Sequence, residues 1–216
     1  MAKEILATNI DGFLIKHEAF IEPHKAWFDR AVRLTGDKSL EHWKGKKDYF
    51  IGVDKAMAKI MPQGTDEQRT LQARHWYQEG VVKYIKEHPQ VVYKNVTKIL
   101  RKLKKRFTLA LVTVNTREYI QQILEAAGIE NLYDIVYAIP ASEKPDKAVL
   151  FRKFVKKYGP PKYYVAARSK EAFKECLSLG SLCVYASWDE FDKEIADMAI
   201  KIVKTPEELE VFVRDN

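Results

Sequence analysis

The second half of the sequence alternates between two hydrophobic patterns, and this alternation restricts the fold more than any other feature. From about residue 95, apolar residues at helical spacing are separated by short continuous apolar runs that are typical of buried strands. The predicted helices are 95–106, 117–127, 146–158, 169–179, one near 189–198 and one from Thr205; the predicted strands are 107–113, 135–139, 162–167, 181–186 and 200–203. Because such an alternation builds a parallel sheet between layers of helices, we predict an α/β fold with a doubly wound, Rossmann-type sheet.

A further strand is predicted at about residues 4–9, and the stretch after it has helical patterns only. We therefore predict two domains: an α/β core formed by residues 1–15 and 91–216, and an all-helical domain formed by residues 16–90. The chain of 216 residues is long enough for one domain and an insertion of this size.

Two polar side chains, Asn9 and Asp11, follow the first predicted strand in the segment Asn-Ile-Asp-Gly. In open α/β sheets, ligands bind at the carboxyl ends of the strands, which makes both residues candidates for a binding or catalytic site. Taken alone, the same two residue types are also common in an ordinary turn at the end of a strand.

Composition narrows the functional classes. The net charge of +7 admits acidic partners, and the densest basic run extends from Lys98 to Arg106. Its apolar residues lie at helical spacing, so the run is either a solvated helix face or an anion-binding patch, and a nucleic-acid-binding module has little other support. No apolar stretch approaches the roughly 20 residues of a membrane span, and no secretory signal is visible, so we expect a cytoplasmic protein without membrane contact. Cys176 and Cys183 are expected to be reduced core thiols.

The segment Asn9-Ile10-Asp11-Gly12-Phe13-Leu14 resembles the first motif of the haloacid dehalogenase-like (HAD) phosphatase superfamily, Asp-x-Asp-Gly-Thr-Leu. The resemblance implies a helical cap at residues 16–90, nucleophilic attack on phosphorus by the residue at position 9, and general acid/base catalysis by Asp11. It also implies Mg²⁺ as the cofactor. Asn9 is an amide at the nucleophile position, and an amide does not form the acyl-phosphate that a carboxylate forms.

Two further motifs of the superfamily are matched. Thr113 ends an apolar strand and is followed by Asn115, and the resemblance implies that both contribute to binding of the transferring phosphoryl group. Lys144, in the pair Lys144-Pro145, lies 31 residues after Thr113, and the resemblance implies that its charge neutralises phosphate oxygens.

The fourth motif, Gly-Asp-x-x-x-Asp, is degraded in the segment from Ala166 to Ala172. Counted from the strand, Ala167 and Glu171 take the two acidic positions; counted back from Gly180, Arg168 and Ala172 take them. Neither alignment supplies the first acid, so Asp11 and Glu171 are the remaining candidate metal ligands and Mg²⁺ binding is expected to be weak or lost. If Arg168 faces the site, its guanidinium would lie where the metal lies in the family and could bind a phosphate group.

Three hypotheses follow from this pattern. The first is a HAD-like protein that has lost phosphatase chemistry, because two separate motifs are damaged, and that binds a small phosphorylated molecule or a protein partner. The second is an active Mg²⁺-dependent small-molecule phosphatase, which requires Asn9 to be an engineered change and Glu171 to bind the metal. The third is the nucleic-acid-binding module.

Overall fold

A computed structural model of the chain describes residues 3–46, 48–140 and 146–216. The chain divides into two compact units, one formed by Met1–His17 with Gln90–Asn216 and the other by Glu18–Pro89. Lys144 lies outside the described residues.

The first unit is an α/β layer structure, which confirms the predicted fold class. Its described part contains a six-stranded sheet in the order β3-β2-β1-β4-β5-β6, and every neighbouring pair of strands is parallel. The strands are β1 (Glu4–Thr8), β2 (Phe107–Thr116), β3 (Ile135–Ile139), β4 (Tyr163–Ala166), β5 (Leu182–Ala186) and β6 (Lys201–Val203). The helices of this unit are α4 (Lys94–Leu103), α5 (Arg117–Ala126), α6 (Lys147–Tyr158), α7 (Lys170–Ser178), α8 (Lys193–Met198) and α9 (Pro206–Asp215).

Strand β1 lies between β2 and β4, and the register of these three strands determines which residues meet at the edge of the sheet. Thr8, the last residue of β1, pairs with Leu111 of β2 and with Val165 of β4. Because the strands are parallel, the residues that follow Thr8 and Val165 leave the sheet side by side at its carboxyl edge. Asn9 and Arg168 are therefore brought to the same edge although they are distant in sequence.

Large buried side chains fill the space between the sheet and helices α6 and α7. Phe154 of α6 and Phe173 of α7 are fully buried in one cluster, and the ring of Phe173 packs edge-on against that of Tyr164 with centroids 5.4 Å apart. The position of α7 relative to the sheet is consequently set by tightly packed aromatic contacts, whose loss leaves a cavity.

The cysteines Cys176 and Cys183 are buried in the same cluster and are not disulfide-bonded. Burial raises the pKa of the Cys183 thiol from 9.0 to about 12, and it also raises the pKa of Cys176. We therefore expect both thiols to resist Ellman's reagent at neutral pH in the folded protein, since three pKa units correspond to an about thousandfold smaller thiolate fraction. Both should react rapidly in guanidinium chloride; fast reaction of the folded protein would contradict their placement.

The basic run, Lys98 to Arg106, covers the second part of helix α4 and the three residues that follow it. Ile99, Leu100 and Leu103 are buried, whereas Arg101 and Lys102 are exposed. The charged residues of the run therefore form the solvent-facing side of an amphipathic helix. Part of its charge is paired within the unit, because the Lys102 ammonium contacts the Glu210 carboxylate at 3.0 Å.

The second unit contains helices α1 (Glu18–Thr35), α2 (Phe50–Ile60) and α3 (Asp66–Glu87). Its core is an aromatic cluster around Trp27 and Phe28, and the Trp27 indole N–H donates to the backbone oxygen of Ala73 at 3.2 Å. Thr65 and Gln68 form a capping box at the start of α3. That this unit acts as a cap over an active site stays a prediction. None of the described helices is long and apolar enough to span a membrane.

Candidate active site

Asn9 lies immediately after β1, at the edge where ligands bind in this type of sheet. Its side-chain amide N–H donates to the backbone oxygen of Asp11 at 2.9 Å, which fixes the direction of the side chain. The other side-chain atom, Oδ1, is buried and has no hydrogen-bond partner among the described residues. The side chain thus presents an unpaired amide oxygen in a shielded position, and such an atom is a candidate acceptor for a bound ligand.

Asp11 is the centre of a cluster of charged and polar groups. Its Oδ1 lies 2.8 Å from Nδ1 of His17 and 3.6 Å from Nε of Arg168. The side chains of Asp11 and Arg168 are 35% and 29% exposed, so water screens their attraction only in part. The structure therefore brings Asn9, Asp11 and Arg168 together. The catalytic, metal-binding and phosphate-binding roles predicted for them stay predictions.

The close approach of Arg168 depends on Gly12. Gly12 has a φ of +72°, and a Cβ at this position would lie 3.1 Å from the Ala167 Cβ, 3.2 Å from the Arg168 Nε and 3.2 Å from an Asp189 carboxylate oxygen. Only glycine satisfies both the backbone conformation and the space. Gly12 thus leaves room for the Arg168 side chain beside Asp11.

The Arg168 guanidinium is held from a second side by Glu190, whose carboxylate accepts a hydrogen bond from Nη2. The Arg168 Nε is buried and has no hydrogen-bond partner among the described residues, since the Asp11 oxygen at 3.6 Å is too distant for one. The guanidinium consequently lies between two carboxylates that compensate its charge.

The segment after β5 contributes groups that sequence reasoning missed. The Trp188 indole N–H donates to the backbone oxygen of Phe13 at 3.0 Å. The two carboxylate oxygens of Asp189 accept from the His17 backbone N–H at 3.0 Å and from the Tyr93 hydroxyl at 2.9 Å. The predicted helix near 189–198 begins only at Lys193, because Asp192 caps its first turn, and residues 187–191 form a loop before it. Asp192 as an N-cap was the available sequence signal.

Lys147, the first residue of α6, is a second cation that the sequence analysis did not assign to the site. Its ammonium donates to the Ser169 hydroxyl. Burial lowers the pKa of Lys147, while the carboxylates of Glu171 and Asp11 oppose this shift. Ser169 has a φ of +90°, which is strained for a residue with a side chain. Glu171 itself is exposed in the first turn of α7, where Lys147 is close enough to interact with it electrostatically.

Thr113 and Asn115 lie in the last part of β2, where the register with β3 shifts between Thr113 and Thr116. The Thr113 hydroxyl accepts from the Asn115 backbone N–H at 3.2 Å and from its side chain at 3.3 Å. Within the described parts of the chain, neither residue hydrogen-bonds to Asn9, Asp11 or Arg168. Their predicted role in phosphate binding stays a prediction, as does that of Lys144.

A cavity of about 330 Å³ lies between the turn after β4 and the loop after β5. Its charged lining residues are Arg168, Lys170, Glu171, Glu190 and Asp192. The Lys170 ammonium contacts Glu194 at 2.7 Å, outside this lining, and Asp192 at 3.9 Å, so both cations of the cavity are already paired with carboxylates. An incoming anion would have to displace one of these partners.

The donor set does not fit the Mg²⁺ that the family resemblance implies. No group of three or more His, Cys, Asp or Glu side chains suited to a metal ion occurs in residues 3–46, 48–140 and 146–216. Asp11 already contacts His17 and Arg168, and a guanidinium 3.6 Å from its oxygen opposes the approach of a divalent cation. Mg²⁺ normally takes carboxylate and water oxygens in an octahedron, which this arrangement does not offer.

Comparisons with known proteins agree with the fold. The HAD-hydrolase-like protein SP0104 from Streptococcus pneumoniae has a TM-score of 0.66 at 15% identity, with 98% of this chain and 98% of that chain covered. A HAD phosphatase from Thermococcus onnurineus has a TM-score of 0.68 at 17% identity, with 97% of each chain covered. YfnB from Bacillus subtilis, which was solved bound to magnesium, has a TM-score of 0.65 at 12% identity, with 99% and 100% covered.

No curated protein matches the sequence. At such low identities, the structural likenesses show the fold alone. The sequence profile described as haloacid dehalogenase-like hydrolase matches residues 18–165, which is more than half of the chain. This protein therefore belongs to the haloacid dehalogenase-like hydrolase family.

Proposed function

We propose that this protein keeps the scaffold of the family but not its metal-dependent phosphohydrolase chemistry. The observation that carries the proposal is the side chain of Asn9, an amide whose nitrogen is bound to the Asp11 backbone oxygen at the position of the family's nucleophile. The amide oxygen is uncharged and its lone pair is delocalised, so it does not support an acyl-phosphate intermediate. Loss of a catalytic nucleophile costs on the order of 10⁶ in turnover in a well-studied hydrolase.

The second damaged motif supports the same proposal independently. Arg168 lies beside Asp11, on the segment that resembles the fourth motif, and neither alignment of that segment supplies the first metal-binding acid. An engineered change at position 9 would not account for the second segment.

For its ligand, we propose a small phosphorylated molecule or a protein partner, bound at the carboxyl edge of the sheet in a cytoplasmic protein. The unpaired Asn9 oxygen supports a ligand that donates a hydrogen bond, and Thr113, Asn115 and Lys144 are the proposed phosphate contacts. Arg168 would contribute only where the ligand displaces Glu190, because that carboxylate occupies the guanidinium.

An assay of phosphate release tests the proposal. With p-nitrophenyl phosphate and 5-carbon to 6-carbon sugar phosphates as substrates and Mg²⁺ present, we expect the unmodified chain to release phosphate at background rate. The Asn9→Asp variant should also stay at background, because the nucleophile is restored without the metal-binding acids. The variant with both Asn9→Asp and Ala167→Asp tests whether a second acid completes the site.

Two outcomes separate the competing functions. Metal-stimulated release by the unmodified chain would overturn the proposal. Strong rescue by Asn9→Asp alone would instead favour the second candidate, a magnesium-dependent phosphatase, for which the fold likeness to the Thermococcus onnurineus phosphatase and to magnesium-bound YfnB gives a reason. Circular dichroism and thermal melting of each variant control for misfolding.

A further inference from the structure

The carboxylates that a metal ion would need are already compensated by side chains of the protein. Asp11 and Glu190 both contact the Arg168 guanidinium, one at Nε and the other at Nη2. Asp11 also contacts the His17 imidazole at 2.8 Å. Carboxylates on two separate segments thus converge on one cation, which is the arrangement that a metal centre produces with its ligands.

The backbone makes room for that cation. At Gly12, an added Cβ would lie 3.2 Å from the Arg168 Nε, so a side chain at this position would crowd the guanidinium. Gly12 belongs to the first motif and Arg168 to the fourth, and the two motifs meet only in the folded chain. The guanidinium therefore lies in a place shaped by the backbone, between the ends of β1 and β4.

The carboxylates of two neighbouring acids, Glu171 and Asp189, also have partners within the protein. Glu171 interacts electrostatically with the part-buried Lys147 ammonium, and Asp189 accepts from the Tyr93 hydroxyl and the His17 backbone N–H. To bind here, a hydrated divalent cation would have to lose part of its water and separate these groups, and it would be repelled by Arg168.

We propose that Arg168 is the resident cation of this site and stands in place of the divalent metal ion of the family. The proposal rests on the proposed function, which it deepens: cationic side chains of the protein compensate the carboxylates of the ligand site, so the site does not require Mg²⁺. It concerns binding rather than turnover, so it is tested by a measurement that does not depend on activity.

Isothermal titration calorimetry with MgCl₂ and MnCl₂ is the test, on the unmodified chain and on the variants Arg168→Gln, Arg168→Lys and Arg152→Gln. Arg152 is the matched control, because its Nε contacts the Glu175 carboxylate at 2.8 Å on helices of the same unit, away from Asp11. We expect no saturable binding up to millimolar Mg²⁺ for the unmodified chain, Arg168→Lys and Arg152→Gln. Arg168→Gln removes the cation between Asp11 and Glu190 and should bind Mg²⁺ at least tenfold more tightly.

Saturable Mg²⁺ binding by the unmodified chain below millimolar concentration would overturn the proposal, and so would an Arg168→Gln variant that folds but gains no affinity. If Arg168→Gln does not fold, the unmodified chain and Arg168→Lys still decide the question, because saturable binding by either contradicts a resident cation. Phosphate release in the presence of EDTA would refute the proposed function while leaving Arg168 in its role. Mg²⁺ binding by the unmodified chain without turnover would refute the role of Arg168 as resident cation while leaving the proposed function in place.

Discussion

Replacement of Phe173 by alanine is expected to lower the free energy of unfolding of the α/β unit by about 3–5 kcal/mol. Phe173 is fully buried on α7, where its ring packs against Tyr164, and its removal leaves a cavity that the surrounding side chains fill only in part. For a chain of this size, the loss corresponds to a fall in melting temperature of roughly 6–20 °C. Thermal and urea unfolding followed by circular dichroism measure both quantities.

Phe191 provides the matched control for this substitution. It is the same residue type in the same unit, but the residue is 66% exposed. Phe191→Ala is therefore expected to change the free energy of unfolding by less than about 0.5 kcal/mol. Similar losses for both variants would show that Phe173 does not occupy the tightly packed position described here.

Gly12→Ala is the second substitution with a large expected effect. The φ of +72° costs an alanine about 1–2 kcal/mol, and its Cβ would lie 3.1 Å from the Ala167 Cβ, which adds about 1–3 kcal/mol for overpacking. The expected loss of stability is thus about 2–5 kcal/mol. Because the new methyl group also displaces the Arg168 Nε, the variant should weaken the contact with Asp11.

A substitution at Gly128 separates the conformational cost of a positive φ from the cost of overpacking. Its φ of +66° is similar, but a Cβ there would meet no atom within 4 Å. Gly128→Ala should therefore cost only the conformational part, about 1–2 kcal/mol. Equal losses in the two variants would contradict the close approach of Ala167 and Arg168 to Gly12, whereas a larger loss for Gly12→Ala measures that approach.

Much of the fold could be read from the sequence because its signals are local. The spacing of apolar residues predicted the strands and helices of the second half, and the alternation alone implied a parallel sheet. Helical patterns were also expected after the first strand, and helix α3 extends there over Asp66–Glu87, with Thr65 and Gln68 as its capping signals. The predicted place of Asn9, at the carboxyl end of β1, needed only the motif itself.

The composition of the candidate site was harder to predict. Asp189 and Glu190 were included in the predicted helix near 189–198, and Trp188 was not assigned to the site, because these residue types carry no periodic signal of a loop. Lys147 was passed over in favour of Lys144, which matched a family motif but lies outside the described residues. The two lysines are three positions apart in the sequence, and a sequence pattern does not tell which lysine is close enough to Asp11 to interact with it.

The sequence by itself determined that a parallel sheet forms, that its first strand ends in an amide where a carboxylate is usual, and that the fourth motif lacks its first acid. Only the tertiary structure decided which side chains meet at that edge: Arg168 lies between Asp11 and Glu190, and Lys147 contacts Ser169. The physical reason is that apolar periodicity acts within a few residues, whereas these charge contacts join residues up to 157 positions apart, counted from Asp11 to Arg168. Their distances depend on sheet order and register, which close packing of the core sets.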